Sequence, residues 1–183
     1  MIKVGIIGGA GYTGGELIRI LINHPNTEIV FVNSRSQSGK PVDTVHKDLI
    51  GEMDLNFTTD ISLDVDALFL CMGHGASEEF FDKNEVPKHI KVIDLSQDYR
   101  LDDEKVYGLP ELNHDKIKTA NFVANPGCFA TAIQLALLPL AFNGMLKEVH
   151  LSGVTGSTGA GVKPSETTHF SWREGNMSTY KAF

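Results

Sequence analysis

The chain reads as an α/β protein, with a doubly wound, Rossmann-type parallel sheet followed by the start of a second, α+β catalytic domain. Three observations predict this. Short apolar runs alternate with helix-like stretches over about the first 125 residues. The runs are largely apolar on both faces, as strands covered by helices on each side must be. A glycine-rich turn, "GGAGYTGG", joins the first run to an amphipathic stretch.

Residues 2–7, 28–33, 67–72, 91–95 and 121–124 are the predicted strands. Between the first two lies "GELIRILINHP", where Leu17, Ile18, Leu21 and Ile22 form one helical face and Pro25 marks the stop. Residues 40–51 and 76–87 are expected as short helices, the first from "KPVDTVHKDLIG" and the second from "ASEEFFDKNEVP". Residues 131–138 are apolar all round, which predicts a buried helix, and Pro139 should kink or end it within a turn. "EVHLSGVTGSTGAGV" then looks like a strand feeding a glycine-rich turn. The expected domains are 1–127 and 128–183, the second started rather than finished.

Composition narrows the function. The 183 residues are 42% hydrophobic and 21% charged, ordinary for a globular protein. A net charge of −7 argues against a nucleic-acid groove or an anionic membrane surface. Cys71 and Cys128 form neither a C-x-x-C pair nor a disulfide framework, and no metal-ligand motif stands out. The start, "MIKVGIIGG", enters a strand directly, without a signal or transit pattern. No apolar run reaches the roughly 18 residues of a membrane span. A reducing, cytoplasmic setting is expected.

The glycine turn contains G-x-G-x-x-G at Gly9, Gly11 and Gly14, and G-x-x-G-x-x-G at Gly8, Gly11 and Gly14. Between an N-terminal strand and a helix, that is the context of a dinucleotide site. A tight turn that binds nothing is the plainer alternative. The end of the second strand discriminates between cofactors. NAD sites place Asp or Glu there, whereas this chain has "FVNSRSQSGK", with Ser34, Arg35, Ser36 and Lys40. A guanidinium and hydroxyls suit a 2′-phosphate, which favours NADP over a merely solvated loop. The later cluster "GSTGAGVKPS" is no Walker loop, because Val162 separates Gly161 from Lys163.

Cys128 stands in "ANPGCFATAIQLALL", directly before the apolar run. Packing is one explanation, since free Cys behaves as a small hydrophobe. Chemistry is the other, since a helix N-terminus offers unpaired N–H groups and favours thiolate. Beside an NADP domain the second gains weight. A thiolate can attack an activated acyl group and form a thioester that accepts hydride. Cys71, inside "DALFLCMG", reads instead as a buried strand residue.

"GGAGYTGGEL", "VIDLSQDYRL", "YGLPELN", "NPGCFATA" and "GSTGAGVKPS" occur in this order. Together they resemble the N-acetyl-gamma-glutamyl-phosphate reductase family of arginine biosynthesis, over essentially the whole chain. The resemblance implies an NADPH-dependent reduction of a small acyl phosphate, and a homo-oligomer is expected. It implies Cys128 as nucleophile, with Gly8, Gly11, Tyr12, Thr13 and Gly14 along the pyrophosphate. Ser157, Gly159 and Ala160 would lie in a turn near the nicotinamide. Asn125 is a candidate for orienting thiol or substrate, and Lys163 and Arg173 are candidate anion contacts. Two departures matter, the first being "CMGHGAS" at 71–77 where the family usually has Leu-Pro-His-Gly. The family's catalytic His follows an Asn-x-x-x-Tyr stretch, here "NMSTY" at 176–180, and none of the seven histidines matches it. Inactivity of these residues alone is therefore an expectation. Aspartate-semialdehyde dehydrogenase and a catalytically silent NADP-binding module are the competing readings.

Overall fold

A computed structural model describes residues 1–179. Seven strands form one sheet: β1 (Ile2–Ile7), β2 (Thr27–Asn33), β3 (Phe57–Thr58), β4 (Ala67–Leu70), β5 (Lys91–Asp94), β6 (Val106–Tyr107) and β7 (Phe122–Ala124). Their order is β3-β2-β1-β4-β5-β7-β6, and every neighbouring pair is parallel. Parallel pairing requires crossovers, which are supplied in part by α1 (Tyr12–Leu21), α2 (Ala76–Lys83) and α3 (Pro110–Thr119). Two further helices are α4 (Cys128–Phe142) and α5 (Phe170–Arg173).

Strand alternation divides the core into two layers. Val4, Ile6, Val32, Ala67 and Cys71 join one cluster with Ile18 and Leu21 of α1 and with Phe57. Ile7, Phe31, Leu68 and Leu70 join the other with Phe80 of α2. Both faces of the sheet are therefore covered, which explains why its strands read as continuous apolar runs.

The expected helix at 40–51 is instead two 3₁₀ turns, Val42–Thr44 and Lys47–Leu49. β-Branched Val42, Thr44 and Val45 disfavour helix, and His46 between the turns has non-helical dihedrals (φ −101°, ψ 80°). Of the helix expected at 76–87, Ala76–Lys83 forms, and the chain turns extended at Asn84, ahead of Pro87. The apolar run at 131–138 lies within α4, but no residue of that helix is buried. Leu135 and Leu140 are 41% and 42% exposed. Composition encodes a preference for burial and does not supply the element that would do the covering. Pro139 lies inside the helix, which ends three residues later at Phe142, as a missing N–H dictates. No strand forms at 148–156 among the described residues, where no partner strand is present. The two-residue strands β3 and β6, and helices α3 and α5, were not anticipated.

Two compact units are present, Met1–Val149 and His150–Phe183. The second holds 3₁₀ turns at Ser157–Ala160 and Glu166–Thr168, then α5. Among the described residues, no helix is long and apolar enough to cross a membrane.

Leu68 is fully buried at the centre of the sheet. Leu68→Ala should cost about 2–5 kcal/mol in a denaturant melt. Leu101→Ala, at a position 97% exposed, should change stability by less than about 0.5 kcal/mol.

Candidate active site

In a parallel sheet all C-terminal strand ends share one edge. That edge carries the glycine turn after β1, Ser34–Ser36 after β2, His74 after β4, Ser96–Arg100 after β5, and Asn125–Cys128 after β7. The chain reverses its direction of travel at β1, with β2 on one side and β4 on the other. This is the topological switch point where open α/β sheets bind ligands. From β1 to β7 is three strand intervals, roughly 14 Å at about 4.8 Å each.

The glycine turn is built for close approach. Gly8 has φ +80°, a conformation that side chains disfavour. Gly14 stands in the first turn of α1, where a Cβ would come within 2.6 Å of the Gly9 Cα and 2.8 Å of the Gly8 carbonyl oxygen. Gly11 caps α1 without a side chain, and no acidic residue occupies the first turn. Tyr12 and Thr13 are exposed beside the free N–H groups of that terminus. A small bound anion is thereby admitted rather than excluded.

Ser34 is buried at the end of β2, its N–H donating to the Thr58 carbonyl at 3.0 Å. Arg35 and Ser36 are exposed in the following turn. The Lys40 ammonium donates to the Gln37 side chain at 3.0 Å.

On the β5–β7 side, Cys128 is exposed at the first position of α4, with Gly127 as N-cap. The preceding turn is braced twice. The Asn125 N–H donates to the Asp94 carbonyl at 2.7 Å. The Arg100 guanidinium donates through Nε to the Asn125 carbonyl at 2.8 Å and through Nη2 to the Leu95 carbonyl at 3.0 Å. Beneath lies a carboxylate network. Fully buried Asp94 accepts from Ser77 Oγ at 2.6 Å and Ser96 Oγ at 2.7 Å. Asp98 accepts from the N–H groups of Gly75 at 2.7 Å and Ser77 at 3.1 Å, at the start of α2. Burial pushes the Asp98 carboxyl up, but donors from Gly75, Ser77, Ser96 and Glu78 outweigh it and leave it below its ordinary value. His74 accepts from the Gln97 N–H at 3.1 Å in the same loop pair. Cys71 is buried after β4, and its thiol is pushed up to about 12 by desolvation and then by the Asp94 charge. It is no nucleophile.

The remaining predicted residues belong to the second unit. Ser157, Gly159 and Ala160 form its first 3₁₀ turn. Lys163 is exposed. Arg173 lies over the Trp172 ring at 4.9 Å and donates through Nε to the Thr167 carbonyl at 3.1 Å. Tyr180 of "NMSTY" lies outside the described residues. Among the described residues, no group of three or more His, Cys, Asp or Glu could hold a metal ion. Sequence reasoning missed Arg100, Asp94, Asp98 and His46. The first three stand in "VIDLSQDYRL", whose clustered charges after an apolar strand were the available signal.

These features define a class. The family model described as the semialdehyde dehydrogenase NAD-binding domain matches residues 3–120, and that of its dimerisation domain matches 128–183. The chain belongs to the semialdehyde dehydrogenase family. More particularly, it is 60% identical over its full length to the N-acetyl-gamma-glutamyl-phosphate reductase of Bacteroides fragilis, and 56% identical to that of Flavobacterium johnsoniae. It spans 58% and 59% of those two relatives' lengths. Among solved structures, the aspartate semialdehyde dehydrogenase of Francisella tularensis is similar with TM-score 0.61 and 25% identity, over 79% of this chain and 42% of that one. That of Candida albicans, solved with NADP, gives TM-score 0.62 at 16% identity, over 80% of this chain and 48% of the other, a likeness of fold.

The Asp98 brace carries a prediction. Its depressed carboxyl contributes stability above the ordinary carboxylate value and loses it as pH falls through the folded value. Asp98→Asn should therefore lower the denaturation midpoint at neutral pH. The gap from the parent protein should close below about pH 4 in a pH series of melts.

Proposed function

We propose that the chain carries the cofactor-binding and nucleophile-bearing parts of an NADPH-dependent reductase. Its substrate is an N-acyl-gamma-glutamyl phosphate, and its products are the N-acyl-glutamate 5-semialdehyde and phosphate, a step of arginine biosynthesis. The observation that carries this reading is one sheet edge bearing both a dinucleotide turn and an exposed thiol at a helix N-terminus. Relatives named for that reaction at 55–60% identity support the substrate class. Aspartate semialdehyde dehydrogenase shares the fold and chemistry, but its likeness here is at 16–25% identity.

Each residue then has a chemical task. The Cys128 sulfur attacks the acyl carbon, the carbonyl π pair moves to oxygen, and the pair returns as phosphate leaves. The enzyme is left as a thioester. Free N–H groups at the start of α4 favour the negative charge on sulfur and oxygen during that passage. NADPH, when bound, supplies the hydride that converts the thioester to aldehyde and releases the thiolate. The residues present fit this cofactor: Gly8, Gly11, Tyr12, Thr13 and Gly14 leave room for its pyrophosphate, and Ser34, Arg35 and Ser36 would hold the 2′-phosphate. Asn125 is assigned to orienting the thiol or substrate. Ser157, Gly159 and Ala160 are assigned to the nicotinamide, and Lys163 and Arg173 to substrate anions. The division proposed is a cofactor domain at 1–127 and the beginning of a catalytic and dimerisation domain at 128–183, in a cytoplasmic homo-oligomer.

Cys128→Ser should abolish acyl-enzyme formation, measured by mass spectrometry after mixing with acyl phosphate, and leave the NADPH dissociation constant within about twofold. Normal turnover by the serine variant would sink the assignment. Arg35→Ala should weaken NADPH by about tenfold or more and barely change NADH, as loss of one charge-assisted phosphate contact requires. Equal losses for both cofactors would refute the 2′-phosphate role.

A further inference from the structure

The segment between β2 and β3 holds a histidine for which the reaction above has no task. His46 is 6% exposed, and its Nε2 lies 2.8 Å from the carbonyl oxygen of Gly9. A carbonyl can accept but not donate, so Nε2 carries the proton and donates it. The bond joins the break between the two 3₁₀ turns to the glycine turn, 37 residues away in sequence.

Three independent contacts build this junction. Position 15 has no side chain, and a Cβ there would stand 2.5 Å from His46 Cε1 and 2.7 Å from Nδ1. The ring is thus seated against the backbone of α1. The Arg19 guanidinium of α1 grips the Asp48 carboxylate through Nε at 2.5 Å and Nη2 at 2.8 Å, which fastens the same segment a second time. The Phe57 ring of β3 stands near the imidazole, centroid to centroid 6.3 Å.

We propose that His46 is a positioning residue for the pyrophosphate of the dinucleotide, acting through Gly9 without touching the cofactor. This inference rests on reading the turn after β1 as a dinucleotide site. In a trans peptide the C=O and N–H point in opposite directions. Holding the Gly9 oxygen toward His46 therefore aims the Ala10 N–H the other way, as a fixed donor for a phosphate oxygen. Without the imidazole donor the Gly9–Ala10 peptide can rotate, and the cofactor must pay the entropy of fixing it. The pyrophosphate is common to NADPH and NADH, so His46 sets affinity for both and leaves the choice between them to Arg35.

The test compares the full protein with His46→Leu, which removes the donor, and His46→Gln, whose amide N–H can replace Nε2. NADPH and NADH are titrated by fluorescence, with steady-state kinetics and thermal melts on the same preparations. His46→Leu should weaken both cofactors by about tenfold, roughly one hydrogen bond, raising the KM for NADPH with kcat held. His46→Gln should restore most of that affinity. A folded leucine variant that binds like the parent overturns the proposal. So does equal weakness of Leu and Gln variants, which would mark the ring as packing alone. Should the leucine variant not fold, His46→Asn takes its place, its amide one methylene too short, and equal binding by Asn and Gln variants overturns the proposal. Failure of the parent protein to bind either dinucleotide refutes the cofactor reading itself, and this inference with it.

Discussion

Two N–H groups converge on one carbonyl at the end of β2. Gly8 donates to the Asn33 oxygen at 3.1 Å and Gly9 at 2.9 Å. This junction ties the chain leaving the central strand to the strand beside it, and the rest of the site depends on it. With the turn so fixed, Gly14 can lie on Gly9 and α1 can start directly above the sheet edge. The opening of the helix is then held rigidly at the switch point between β2 and β4. A loop free to wander there would surrender binding energy to its own ordering.

The β5–β7 end of the same sheet edge uses polar groups for the same purpose. Asp94 is fully buried, yet both its carboxylate oxygens accept hydrogen bonds, from Ser77, from the Ser96 hydroxyl and from the Ser96 N–H at 3.1 Å. A buried carboxylate left unpaired would be costly, whereas a satisfied network makes the loop after β5 stiff. Arg100 extends that stiffness across to the Asn125 carbonyl, and so to the turn before Cys128. One brace orients the glycine turn and another holds the thiol, each anchored to the strand ends of the same sheet.

Much of this was legible from residue order. Strand β1, the glycine turn and α1 follow from an apolar run, a G-x-G-x-x-G and a helical face, because those signals are local. Cys71 was legible as buried because it ends a continuous apolar strand. His46 was not. Nothing around "VDTVHKDL" distinguishes a buried donor from a helical surface residue, and its partner Gly9 is remote in sequence. Arg100 was obscured in the same way, since its acceptors at Leu95 and Asn125 are backbone carbonyls and leave no trace in side-chain identity. α4 erred in the other direction. Its apolar letters forecast burial, and the described chain leaves it half covered.

The sequence by itself determined the parallel α/β architecture, the glycine turn between β1 and α1, and the separation of a thiol at a helix start from one buried at a strand end. Each is written in neighbouring residues, through periodicity, glycine spacing and the residues flanking sulfur. Tertiary structure alone decided which polar groups support the site. Hydrogen bonds from His46 and Arg100 end on backbone oxygens that every residue possesses, so their existence depends on how distant segments come together in space.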